Sequence, residues 1–312
     1  MICSFRATRS NTPVHHNNSY LQPSWSSRPP VYAAIKKART EALPYLLSCA
    51  FIANAASFLL PISNPANLFV YGKQLPPLLP WLKIFLLPSL VSIAVTFLVL
   101  RLIARQDLRG KAEDGSELTT LTPEGRRAVW GMALAAVVLI SASLLGVNLG
   151  LPTFAAAVIA IAVAAPVNRK AVIAIVGSVS WSVLPMVAGL FILVEALNAA
   201  GALRDIGAAM RMCTQLSPLT GSLSASFGVA LLSNVMNNLA SGMLTGSAMQ
   251  TGAFPNYIQH ALLIGADLGP NLSVTGSLAT ILWLIAVRRE GGHVSAWTLF
   301  KAGVLIMPAY SH

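Results

Sequence analysis

Asp267 is a carboxylate set inside an apolar stretch, within the run Asp267-Leu268-Gly269-Pro270-Asn271-Leu272-Ser273, followed by Thr275, Gly276 and Ser277. Two further polar runs interrupt apolar stretches: Pro61-Ile62-Ser63-Asn64-Pro65-Ala66-Asn67 and Ser233-Asn234-Val235-Met236-Asn237-Asn238. In hydrocarbon a polar group without a partner costs roughly 2–7 kcal/mol, and an aspartate at a membrane-helix centre about 2.5–3.5 kcal/mol. These side chains must therefore face a cavity, one another or a solute. The prolines and glycines among them break helices and free backbone carbonyls and amides to coordinate. An isolated intramembrane carboxylate is a proton carrier or a cation ligand. The plainer reading is a carboxylate capping freed amides, with the asparagines and serines as hydrogen-bonding glue between helices.

The elements that hold these runs are apolar segments at 43–71, 84–104, 128–147, 151–167, 171–200, 221–245, 260–287 and 296–310. Several approach or exceed the roughly 20 residues that a spanning helix needs. Composition agrees. Of 312 residues 55% are hydrophobic and only 10% charged, against about 25% charged in soluble domains, and the mean hydropathy is +0.68. The chain reads as an all-α, polytopic membrane protein. Its net charge of +11 does not mark a nucleic-acid binder, because the basic residues sit in short runs between apolar segments. Cys3, Cys49 and Cys213 form no CxxC pair and read as free thiols, and no GxxxxGK[ST] motif is present. No cofactor is expected. Glu195 lies near a segment end, where it reaches the interface, and His260 and His293 sit at segment edges.

Four regions follow: a polar, acid-free tail at 1–34, a first helical unit at 35–104, a linker at 105–127 and a second helical unit at 128–312. The linker holds five of the ten acids and five basic residues, so it is a solvated loop on the cytoplasmic side. If every segment crossed once, Arg288 and Arg289 would fall outside. If 221–245 instead dips in and returns, the count becomes thirteen Lys and Arg inside against four outside, leaving aside three in the tail and Lys301 in the last helix. Such a re-entrant hairpin is tolerated where it lines a protein-walled cavity. Pro65-Ala66-Asn67 and Gly269-Pro270-Asn271 then lie on broken helices of opposite direction, the pattern of an inverted repeat with its site at mid-membrane.

At these runs the chain resembles the ArsB-type arsenite/antimonite efflux transporters of the ion-transporter superfamily. The likeness rests on ALPYLLSCAFIANAASFLLPISNPANL, LLSNVMNNLASG and LLIGADLGPNLSVTGSLATILWLIAVRREG, and extends from about Ala34 onward. It implies a secondary transporter in the cytoplasmic (inner) membrane, not an enzyme, that expels arsenite or antimonite hydroxide in exchange for protons. A soluble arsenite-stimulated ATPase is an implied partner, and homo-oligomers are a further option. Ser233, Asn234, Asn237 and Asn238 match the family's second hairpin. Ser63, Asn64 and Asn67 match its first broken helix, and Asp267, Asn271 and Thr275 its second. Amides and hydroxyls suit a trihydroxide, since they both donate and accept.

The chain departs from the family pattern in having no counterpart of the first hairpin, so the first repeat is expected to be incomplete, the last helix short, and the product truncated. Two other readings stand beside arsenite efflux. One is a Na⁺ or carboxylate transporter of the same superfamily, against whose anion form Lys301 speaks as the sole basic residue within a span. The other is a non-transporting remnant or assembly partner.

Overall fold

The computed structural model describes residues 42–72, 75–105, 123–164, 177, 181–289 and 294–306. The tail at 1–34, Cys3, His293 and linker residues 106–122 lie outside them. Every regular element among the described residues is a helix. In chain order these are α1 (Ala42–Ala55), α2 (Pro65–Tyr71), α3 (Leu78–Ile103), α4 (Pro123–Leu144), α5 (Gly150–Ala164), α6 (Val183–Ala199), α7 (Ala202–Thr214), α8 (Pro218–Met236), α9 (Asn238–Met249), α10 (Asn256–Leu268), a 3₁₀ turn (Gly269–Leu272), α11 (Leu278–Arg289) and α12 (Ala296–Ile306).

Among the described residues two helices are by themselves long and apolar enough to cross a bilayer, α3 with 26 residues and α8 with 19, and the bent pair α6–α7 would make a third. Two of the other apolar segments are divided by their polar runs. The segment at 43–71 becomes α1 and α2 with a turn between, and the segment at 260–287 becomes α10, the 3₁₀ turn and α11. The breaks have local causes. Asn64 caps α2 with its side-chain oxygen on the Ala66 N–H at 3.1 Å, and Pro65 follows at the first helical position, where its missing N–H and fixed φ cost nothing. Pro270 stands at the start of the 3₁₀ turn, where it has no N–H to carry α10 onward.

α7 is a helix that the apolar segments leave out. Leu203, Ile206, Met210 and Cys213 pack inward, while Arg204 and Asp205 are exposed. It departs from α6 at 77°, turning at Gly201 with φ +92°, a conformation that glycine adopts without strain.

The sharpest reversal is at Asn237, whose φ of +84° is the one positive value at a non-glycine residue among those described; its ψ of 146° lies outside the left-handed helical region, so the conformation is strained and is held by the contacts around it. Ser233 Oγ and Ser241 Oγ, eight residues apart, meet at 2.6 Å, whereas a straight helix would separate them by about 12 Å. α8 and α9 thus fold back on each other as a V. Each arm packs on one broken helix, and glycine permits the contact. On α9, Gly246 lies against the Phe69 carbonyl of α2, and on α10, Gly265 lies against the Ser226 backbone of α8. A β-carbon at either glycine would overlap backbone rather than a movable side chain.

An aromatic cluster supports the first break. Trp81, Phe85, Phe58 and Tyr71 are buried together, and the Trp81 indole donates to the Phe58 carbonyl at 3.0 Å. His260, placed at a segment edge by the sequence, is half-buried and meets Phe85 edge-on, with ring centroids 5.5 Å apart.

The packing predicts that Gly246→Val lowers stability by at least the roughly 1–3 kcal/mol typical of overpacking. Gly228→Ala, at a glycine with open space around it, should leave it unchanged or slightly raised. Thermal melting of the detergent-solubilised protein distinguishes the two.

Candidate functional site

The two broken helices meet through their polar side chains. Asn64 Nδ2 donates to Asp267 Oδ1 at 2.6 Å, across 203 residues of sequence, so a single asparagine both caps α2 and holds the carboxylate. Asp267 is 1% exposed, and its second oxygen, Oδ2, is buried with no partner. Asn67 is fully buried on the next turn of α2. Its Nδ2 donates to the Ser57 and Leu60 carbonyls at 3.2 and 3.3 Å, groups freed where the chain leaves the helical ladder after α1. That fixes the amide's orientation and leaves Asn67 Oδ1 buried and unmatched.

The V supplies the other wall. Asn234 Nδ2 donates to the Ala230 carbonyl at 2.8 Å and to the Gly269 carbonyl at 2.6 Å, so its Oδ1 is likewise fixed in place, buried and unmatched. Ser273 Oγ donates to the Asn234 carbonyl at 3.1 Å. At the tip, Asn237 Nδ2 donates to the Thr275 carbonyl at 2.8 Å, and its Oδ1 accepts from the Leu239 N–H at 3.0 Å. The Asn238 N–H donates to the Gly276 carbonyl at 2.7 Å. Ser233 and Ser241, buried one turn from the tip of the V on either arm, share their 2.6 Å hydrogen bond.

Asn271, buried on the 3₁₀ turn, accepts at Oδ1 from Asn54 Nδ2 at 2.8 Å, and its own Nδ2 has no partner. Asn54 also reaches Thr280 Oγ1 at 3.4 Å.

Hydrogen bonds thus join Asn64 to Asp267, and Asn234, Asn237 and Asn238 of the V to the backbone of the second broken helix, which also carries Asn271; Asn67 and Ser233 are buried within their own elements' turns. Two sequence candidates stand apart. Ser63 is exposed and accepts from the Leu60 N–H at 3.3 Å within its own turn. Thr275 is exposed and contributes its carbonyl rather than its hydroxyl. Asn54, Ser241 and Thr280 join the network without having been singled out in the sequence. Asn54 and Thr280 sit between apolar neighbours inside helices, and Ser241 lies one turn past the amide cluster, so local pattern does not distinguish them from interhelical glue. No group of three or more His, Cys, Asp and Glu able to hold a metal occurs among the described residues.

Buried amides, broken helices and apolar outer faces define a membrane protein of the solute-transporter class. The chain belongs to the citrate transporter (CitMHS) family, which it matches over residues 28–287. It is 26% identical over 277 residues to an arsenical pump membrane protein of Yersinia enterocolitica and 24% identical over 281 residues to one of Escherichia coli, with 85% of this chain and 64% of each relative covered. An uncharacterized transporter of Mycobacterium tuberculosis is 29% identical over 145 residues, 41% of this chain and 32% of that one. The resemblance to ArsB-type transporters is thus borne out, and this chain spans just under two thirds of the length of the arsenical pump proteins it matches.

The site geometry predicts distinct costs for its asparagines and serines. Asn64→Ala removes the amide from a buried carboxylate and should destabilise the protein by about 1–3 kcal/mol. Asn64→Asp should cost more at neutral pH, because it sets a like charge against Asp267. Ser63→Ala and Thr275→Val, at exposed positions, should stay within about 0.5 kcal/mol of the parent. Melting curves in detergent test all four.

Proposed function

We propose that this chain carries the core of a secondary transporter that exports arsenite and antimonite from the cytoplasm in exchange for protons, conferring arsenical resistance. One observation carries the reading: the network leaves a set of buried polar atoms unmatched. Asn67 Oδ1, Asn234 Oδ1 and Asp267 Oδ2 are acceptors, and Asn271 offers one free amide atom. In a lipid-embedded protein each is costly unless something pairs with it. Arsenite at neutral pH is an uncharged trihydroxide. Its three O–H groups would satisfy the acceptors, and its oxygens would accept from an amide. The names of the arsenical pump relatives support the same solute.

Exchange with protons follows from the chemistry of Asp267. Ionised, Oδ2 accepts a hydrogen bond from the solute. Protonated at Oδ2, the carboxyl turns an O–H donor toward the solute and accepts only weakly there. Proton and trihydroxide then compete for one oxygen, which is the requirement for antiport. Asn64 keeps the carboxyl group in place in both states through Oδ1.

The proposed membrane placement makes α1–α2 and α10–α11 the two broken helices of an inverted repeat, in opposite directions, with the α8–α9 V as a re-entrant hairpin between them. α8 is long enough to cross, but the thirteen-to-four charge bias favours the hairpin. The linker then lies on the cytoplasmic face of the inner membrane, where a soluble arsenite-stimulated ATPase would dock.

The family's description favours a second reading, citrate or another carboxylate. Such an anion needs donors and positive charge. Three of the unmatched atoms are acceptors, and Lys301 is exposed, with its ammonium 5.4 Å from the centroid of the Trp297 ring. Na⁺ fits the acceptors better than citrate does, but leaves an amide donor of Asn271 without a role.

Expression in an arsenite-sensitive host should lower intracellular arsenic; unchanged arsenic with verified membrane insertion overturns the reading. In everted vesicles Asp267→Asn should abolish the dependence of arsenite uptake on a pH gradient. Retained dependence removes Asp267 from the coupling role, and uptake of citrate or ²²Na⁺ in place of arsenite would establish one of the other solutes.

A further inference from the structure

Asn54 lies on α1, ahead of the polar run at 61–67, and is 4% exposed. A buried amide on a membrane helix persists only if its hydrogen bonds are met. Its Nδ2 makes two, to Asn271 Oδ1 at 2.8 Å and to Thr280 Oγ1 at 3.4 Å. One side chain thus joins α1, the 3₁₀ turn and α11. These three residues line a narrow crevice with Ala50, Phe51 and Leu299.

The backbone of Asn271 is already held. Gly303 of α12 packs against its carbonyl so closely that a β-carbon there would overlap it, and Pro270 precedes it in the tight turn. What remains free is rotation of the Asn271 side chain, and Asn54 removes it. Flipping both amides together would preserve the pairing, with Asn271 donating to Asn54 Oδ1. In either orientation one polar atom of Asn271 is occupied by Asn54 and the other is left for the site. The arrangement separates two tasks: Asn54 orients, and Asn271 presents.

We propose that Asn54 is a positioning residue that sets the affinity of the site by orienting Asn271, with Thr280 steadying Asn54. This rests on the solute-binding role given to Asn271 above. It predicts an effect on half-saturation rather than on turnover, because a misoriented amide weakens binding without touching Asp267.

The experiment uses the full chain in everted vesicles, with arsenite as the probe. Asn54→Ala should raise the half-saturation concentration about tenfold, the equivalent of one hydrogen bond to a bound solute, and change the maximal rate by less than about twofold. Thr280→Val, which keeps shape and removes only the hydroxyl, should act in the same direction by about two- to threefold. In an Asn271→Ala background Asn54→Ala should add nothing further, since its target is gone. Unchanged half-saturation in either single variant, or full additivity in the double variant, overturns the assignment. A second readout does not involve a solute. In ¹⁵N-asparagine-labelled protein, the Asn271 side-chain amide signal, identified by its loss in Asn271→Ala, should shift or broaden in Thr280→Val and Asn54→Ala. An unmoved signal overturns the assignment. Absent arsenite uptake by the parent chain would overturn the arsenite reading alone, and the amide signal would still decide the role of Asn54.

Discussion

The hydrogen bond from Asn64 to Asp267 is the constraint on which the rest of the site depends. A carboxylate that is 1% exposed among apolar helices cannot be left to itself, since an uncompensated buried charge costs several kcal/mol. At 2.6 Å the amide supplies a short, charge-assisted contact. Asn64 can supply it only because it stands at the N-terminus of α2, and α2 exists as a separate helix only because the chain breaks at 56–64. The capping bond, the proline after it and the carboxylate contact are one unit. Loss of the break would turn Asn64 to a different face and leave Asp267 unpaired.

That unit needs support from both sides, and the α8–α9 V supplies it. Two helices of unbroken apolar surface could not approach α2 and α10 closely enough, because β-carbons would hold them apart. Gly246 and Gly265 let backbone meet backbone, the means by which helices associate where no hydrophobic effect drives them. The close approach also carries amides to carbonyls. Asn234 reaches the Gly269 carbonyl, and Asn237 the Thr275 carbonyl, so groups that the broken helices expose are met by side chains of the V. Packing and polar satisfaction are therefore a single requirement here.

Much of this was legible along the chain. Asn64, Asn67, Asn271 and Asp267 stand beside prolines and glycines inside apolar segments, a combination that lipid forbids unless a cavity or partner is present. Asn54 and Thr280 carry no such mark, because neither adjoins a proline or glycine and only its neighbour across space reveals its role. Ser63 and Thr275 show the opposite case. Their local setting matches that of the site residues, but both residues are exposed. α7 escaped notice because its charges break the apolar run, although one face packs on the core.

The sequence by itself determined the membrane character, the positions of the breaks and the kinds of atom available at them. These follow from composition and from backbone rules that act over a few residues: proline cannot continue a helix, asparagine caps one, and charge stays out of lipid. Only the tertiary structure decided which atoms pair and which are left over. That Asp267 keeps one free oxygen, and that Asn271 is paired at its own, depends on contacts between residues 203 and 217 positions apart. No short-range rule links such positions, because the distance between them is set by how four helices and a V pack together.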